Sequence, residues 1–204
     1  MLKRSTFLAA LTGAVVFSSS LIAGEVTKAD RDMLVDHLKR TEAAFLKSID
    51  GVSDAQWTWK AAPDRWSVAE TAEHITKAED MLRGAVEGMM KAPAAPDLLA
   101  KTKGKEEMIL KAIPDRTQKF KAPEPLVPKG TFASKAALID AFKAARAKTL
   151  AIAGGTTDLR AFGQAGFPIG EVDAYQATLF LSAHTERHTK QIEEVKTTTG
   201  YPAK

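Results

Sequence analysis

The chain has no cysteine. That excludes disulfides, a lipid anchor on an N-terminal Cys, a thiolate nucleophile and any Cys-based zinc site. Aromatic residues make up only 7% of the 204 residues, while Ala, Lys, Glu and Leu are plentiful, a mixture that favours helices over strands. There is no large excess of one charge. The formal charge is +4, and Lys3 and Arg4 supply two of the 29 basic residues. Without that leader, 27 basic residues face 25 acidic ones, interleaved and not clustered, so there is no electrostatic reason to expect nucleic acid as a partner. Only one stretch is apolar enough to concern a membrane. Lys3-Arg4 followed by an apolar run from Phe7 to Phe17 and then Ser18-Ser19-Ser20 and Ala23-Gly24 reads as a signal peptide over residues 1–23. Cleavage after Ser20 or Ala23 fits. The alternative is an uncleaved anchor, against which the shortness of the run and its interruption by Thr12 and Gly13 argue. The expectation is a periplasmic or secreted protein with no membrane association once the signal is removed. Without disulfides, its core and any bound metal must hold it together.

Apolar spacing and stop signals predict four long helices. The first spans Ala29 to Ile49, with Leu34, Leu38, Phe45 and Ile49 near one face and Asp50-Gly51 as its stop. A loop from Val52 to Arg65 follows. Ser67 with Glu70 forms a capping box for the second helix, Trp66 stands where a hydrophobic staple would, and Pro93 and Pro96 end the helix after about Lys91. Residues 92–131 form a long connection, with a short helix near Leu98 to Ile113 and a proline-rich piece around Pro123, Pro125 and Pro128. Its length is unusual for a loop and suits a crossover that lets the third helix run parallel to the second. Ser134 caps a third helix through Ala153. After a connection from Thr156 to Gly170, the fourth runs from about Glu171 to Thr198. No segment reads convincingly as a strand. The expected fold is all-α, a four-helix bundle.

The chain holds four histidines, two of them in His184-Thr-Glu-Arg-His188. At i and i+4 on a helix, two imidazoles leave the same face and can reach one ion. Leu181, His184, His188, Gln191 and Val195 follow an a/d progression, which points the pair inward. Binding a metal as neutral ligands removes the cost of burying two charged imidazoles. Glu186 stands about 200° around the helix from the first histidine and is expected to face solvent, not to act as the base of an H-E-x-x-H site. His74, near the apolar face of the second helix, is the candidate third ligand. His37, beside Asp36 and Lys39, reads as solvated. Glu70 reads as the capping partner and Glu73 as solvated, so no general base can be assigned.

Trp66-Ser67-Val68-Ala69-Glu70 leading to His74-Ile75, together with His184-x-x-x-His188-x-x-Gln191-Ile192, resembles the DinB/YfiT-like superfamily over about Ala29 to Lys196. The resemblance implies a DinB-like domain, bounded here at 28–200, and an up-down-down-up bundle with its long crossover between helices 2 and 3. It implies a divalent ion, commonly zinc or nickel, held by His74, His184 and His188, and often a homodimer. Relatives include metal-dependent thiol transferases, the mycothiol-dependent maleylpyruvate isomerase and proteins described as hydrolases. Export moves this chain away from the cytoplasm, where such thiols are kept reduced, and weighs against thiol transfer. Three histidines leave a fourth tetrahedral position for water or a substrate atom. The expectation is hydrolase or transferase chemistry on a small molecule. The alternatives are a periplasmic metal-binding or interaction protein without turnover, and a bundle whose histidines are structural.

Overall fold

The computed structural model describes residues 25–203 apart from Pro96. The expected signal peptide, 1–23, lies outside the described residues. The elements in order are α1 (Lys28–Ile49), α2 (Asp54–Thr58), α3 (Val68–Lys91), α4 (Leu98–Thr102), α5 (Lys105–Ala112), α6 (Lys135–Gly154), strands β1 (Gly163–Phe167) and β2 (Gly170–Asp173), and α7 (Ala174–Lys196). Single 3-10 turns at Glu124–Leu126 and Leu159–Ala161 lie in the connections. The chain is mostly helical, as expected. No described helix is long and apolar enough to cross a membrane.

The helix starts follow from side chains that satisfy free backbone N–H groups. Thr27 with Asp30, Ser53 with Gln56 and Ser67 with Glu70 each form a reciprocal capping box. Ser134 and Asp173 cap α6 and α7 singly. Each such cap is worth about 1 kcal/mol. Gly51, at φ 62°, takes the left-handed turn that follows α1. In the crossover, the short helix expected near Leu98 to Ile113 is broken in two by Gly104 at φ 82°. The loop expected after α1 contains the brief α2.

α1, α3, α6 and α7 surround two apolar clusters stacked along the bundle. One joins Leu34 and Leu38 of α1 with Ala78 to Met89 of α3, Ala153 of α6 and Ala174 to Ala183 of α7. The other joins Phe45 and Ile49 with Val68 to Ile75, Leu138 and Phe142, and Ile192. The starts of α1 and α7 therefore share one end of the bundle with the finishes of α3 and α6. Between the clusters lies a polar layer that contains Glu79, Arg146, Thr41, Ser182 and Thr185.

One expectation fails in the last connection. Residues 163–173 form an antiparallel hairpin, so α7 begins at Ala174 and not at Glu171, with Asp173 as its cap. Gly-Gln-Ala-Gly carries no β-branched signal, and the hairpin is held by packing instead. Val172 and Phe167 are buried, and the Phe167 ring meets Phe180 edge-on at 5.0 Å. The hairpin's turn places Pro168 and Ile169 over the end of a cavity between α3, α5 and α7.

Candidate metal centre

His74 leaves α3 two turns after its cap, and His184 and His188 leave one face of α7. The three meet between the two helices. Nε2 of His74 lies 3.3 Å from Nε2 of His184 and 3.2 Å from Nε2 of His188, and all three nitrogens lie within 4.8 Å of one another. Two imidazoles on a common tetrahedral ion at about 2.0–2.1 Å would stand about 3.3–3.4 Å apart.

Ring orientation is set by outer partners. His74 Nδ1 donates to the Leu126 carbonyl at 2.9 Å, and His188 Nδ1 donates to Gln191 Oε1 at 2.9 Å. With their protons at Nδ1, the neutral rings turn two Nε2 lone pairs toward each other across 3.2 Å. Such an approach is repulsive unless a cation lies between them. A proton is a poor candidate for that cation. Burial lowers the pKa of His74, that of His184 to about 3, and that of His188 well below the ordinary value, with neighbouring histidine charge adding to the last two shifts. The donor set fits one divalent ion held by three neutral imidazoles. Among the described residues, His74, His184 and His188 are the group of side chains that could hold one.

Aromatic rings wall the site. Trp66 lies against His74 at 4.9 Å and His188 at 6.5 Å, and Phe180 stacks on His184 at 6.2 Å. Whatever Trp66 adds at the helix start, its ring borders the histidines, a role its sequence position did not show. The triad opens onto a cavity of about 700 Å³, within the range of small-molecule sites.

The acidic groups nearest in sequence are engaged elsewhere. Glu70 closes its capping box and pairs with Lys60 at 2.9 Å. Glu186 lies away from the triad, as the helical rotation requires, but it corrects the expectation of a solvent-facing side chain. Half-buried against α1, it pairs with Arg40 at 3.4 Å and Lys190 at 3.1 Å and stands 3.7 Å from His37 Nε2. Glu73 corrects the expectation of a solvated carboxylate. It is buried, and it accepts hydrogen bonds from the backbone N–H groups of Lys129, Gly130 and Thr131 and from the Thr131 hydroxyl. Those bonds pin the loop that follows Leu126, whose carbonyl orients His74. His37 is also corrected. It is buried, with Nδ1 2.7 Å from Ser182 Oγ, because the face it shares with Leu34 and Thr41 packs on α7.

Fold and site together define an all-α protein carrying a three-histidine cluster between its second and fourth long helices. The chain belongs to the DinB superfamily, whose pattern it matches over residues 37–192. No curated protein matches the chain, and no solved structure does.

Proposed function

We propose that this protein is an exported, metal-dependent hydrolase or transferase that acts on a small molecule, with zinc or nickel held by His74, His184 and His188. The observation that carries the reading is the convergence of three Nε2 atoms whose rings are held, in two cases, by Nδ1–H donors to Leu126 and Gln191. A bound ion of this kind supplies Lewis acidity toward a carbonyl or phosphoryl oxygen. The chain's own part is to hold the ligands, to flank them with the rings of Trp66 and Phe180 in the cavity wall, and to leave the cavity open to substrate. Residues 1–23 support a periplasmic or secreted location, and the family resemblance supports a homodimer.

A metal-binding protein without turnover is favoured by one observation: Glu70, Glu73 and Glu186 are all engaged away from the triad. Elemental analysis of untagged protein, paired with a hydrolase screen on small esters, amides and phosphoesters, tests both readings. The expected result is about one divalent ion per chain, lost in His184→Ala together with any turnover. Full metal occupancy in His184→Ala ends the metal-centred reading. Occupancy without turnover on any substrate class selects the binding protein.

A further inference from the structure

The cavity wall changes character along the bundle axis. Beside the start of α7 it is apolar: Phe180, Leu82, Met81 and Met108, with Ile169 from the hairpin. The three histidines come next. Beyond them, around Gln191, the wall carries Arg65, Arg116 and Lys119, with Lys121 and Arg187 close by. A smaller hollow of about 320 Å³ shares Arg65, Trp66 and Gln191 and extends this end past Glu194. From Phe180 to Gln191 the helix advances about 16 Å.

The charges at the cationic end do not cancel. Arg116 is matched by Glu194, to which it donates twice, at 3.1 and 2.9 Å. Arg187 spends its guanidinium on the carbonyls of Ile113, Asp115 and Gln118, and stacks over Phe120. Arg65, Lys119 and Lys121 have no carboxylate within ion-pair distance among the described residues. Even with Asp64 and Glu194 counted, the basic side is in excess. The apolar surface is likewise uncovered: of the four exposed large hydrophobic residues among those described, Met81, Met108 and Phe120 all line this cavity, and Phe120 is 78% exposed. Isolated exposed side chains need no explanation, but three gathered at one opening mark a binding surface.

We infer that the site takes a three-part small molecule: an apolar body against Phe180, Met81 and Met108, a polar reactive group at the histidines, and an anionic terminus at Arg65, Lys119 and Lys121. This deepens the proposed function and rests on its reading of the triad as the reacting centre. The basic end attracts the anion and fixes direction, while the apolar end supplies buried area, so each end discriminates on its own.

N-octanoylglycine is a probe of this build. N-octanoylglycinamide lacks its charge and N-acetylglycine lacks its apolar body. In calorimetric titrations of the full, zinc-loaded chain, N-octanoylglycine should bind at least tenfold tighter than either. Arg65→Glu combined with Lys119→Glu should erase its advantage over the amide. Met108→Glu should weaken both octanoyl probes while leaving that advantage in place. Equal binding of all three probes, or of none, by metal-loaded protein overturns the inference. So does a carboxylate preference that survives the charge reversals but vanishes on metal removal, which would seat the anion on the ion. A dimer that closes this face, excludes the probes and dissociates on Phe120→Asp would assign the surface to a second copy and overturn it too. Metal content is measured separately on every sample. Charge-selective binding by a chain that retains no metal would sink the metal-centred function and leave the ligand's three-part build supported.

Discussion

Arg146 reaches Glu79 across the middle of the bundle, Nε and Nη2 donating to the two carboxylate oxygens at 2.9 and 2.7 Å, and neither side chain touches solvent. Every remaining donor of the guanidinium is also used. Nη1 serves the Leu38 carbonyl and Thr41, and Nη2 serves Thr185 as well. One side chain of α6 is thereby bonded to α1, α3 and α7, the last through Thr185 beside His184 of the triad. A buried pair of this kind adds little net stability over an apolar replacement, but breaking it strands a charge in the core.

Arg146→Met should therefore cost about 3–5 kcal/mol by leaving Glu79 buried without its partner. Arg146→Met combined with Glu79→Leu should recover a large part of that loss, because no buried charge remains. Urea unfolding of the single and double variants reads the coupling. Additive losses in the double variant would mean that the two groups do not interact in the way their geometry states.

The long helices and the His184–His188 pair were legible because they rest on local signals, whereas His74 joined the pair through the family resemblance. Ser67 with Glu70 marks a helix start within four residues, and His184 with His188 shares a face by helical spacing alone. What stayed hidden depends on distant partners. Glu73 looks solvated until residues 129–131 fold onto it. His37 sits between charged neighbours in the chain, yet adjacent residues on a helix point to different faces, and its own face is the buried one. Arg146 was legible in principle: it falls four residues after Phe142 on the apolar stripe of α6, as Glu79 falls four after Ile75 on α3. Opposite charges on two facing stripes are a signal that a one-helix reading passes over. The hairpin had no such signal, since its first strand is built from residues of low strand preference.

His37 makes the fold sensitive to mild acid. Burial first, and then the nearby Arg40 charge, lower its pKa to about 4. Unfolded, the ring takes up a proton near pH 6.5. The unfolded chain thus binds more protons at this site between about pH 6.5 and 4, and stability falls with pH across that window. The full loss is about 3 kcal/mol. His37→Gln, which keeps a hydrogen-bonding group for Ser182, should flatten this part of the profile. Thermal unfolding at half-unit steps of pH would show an unchanged slope if His37 were not responsible.

Asp173 acts in the opposite sense. It caps α7 by accepting from Gln176 N at 2.7 Å and pairs with Arg160 at 3.2 Å, yet burial outweighs both contacts and raises its carboxyl to about 6. The unfolded carboxyl ionises near 3.9. Above about pH 6 the folded state carries a buried charge that costs stability, and between about 6 and 4 that cost is relieved by protonation. Asp173→Asn keeps a good capping side chain and removes the titration. Its stability relative to the parent should improve by about 2–3 kcal/mol on going from pH 4 to pH 7. A constant difference across that range would show that Arg160 keeps Asp173 ionised throughout.

Two side chains outside the triad should control how well it holds a metal. Gln191 accepts from His188 Nδ1, and Glu73 fastens the loop whose Leu126 carbonyl accepts from His74 Nδ1. Neither touches the Nε2 atoms, so each acts by orienting a ring. Loss of such an outer partner commonly lowers metal affinity 10- to 100-fold. Gln191→Leu should weaken zinc binding by about tenfold with little change in unfolding free energy of the metal-free chain, because Gln191 lies at the cavity edge. Glu73→Gln should weaken zinc binding and also destabilise the metal-free chain by about 1–3 kcal/mol, since the backbone N–H groups of residues 129–131 lose a charged acceptor. Competition titrations with a chromophoric chelator, set beside urea unfolding in chelator, separate the two effects. If Gln191→Leu matched the parent in affinity, the 2.9 Å contact would not be setting the ring, and the orientation of His188 would have to come from its packing against the rings of His74, His184 and Trp66.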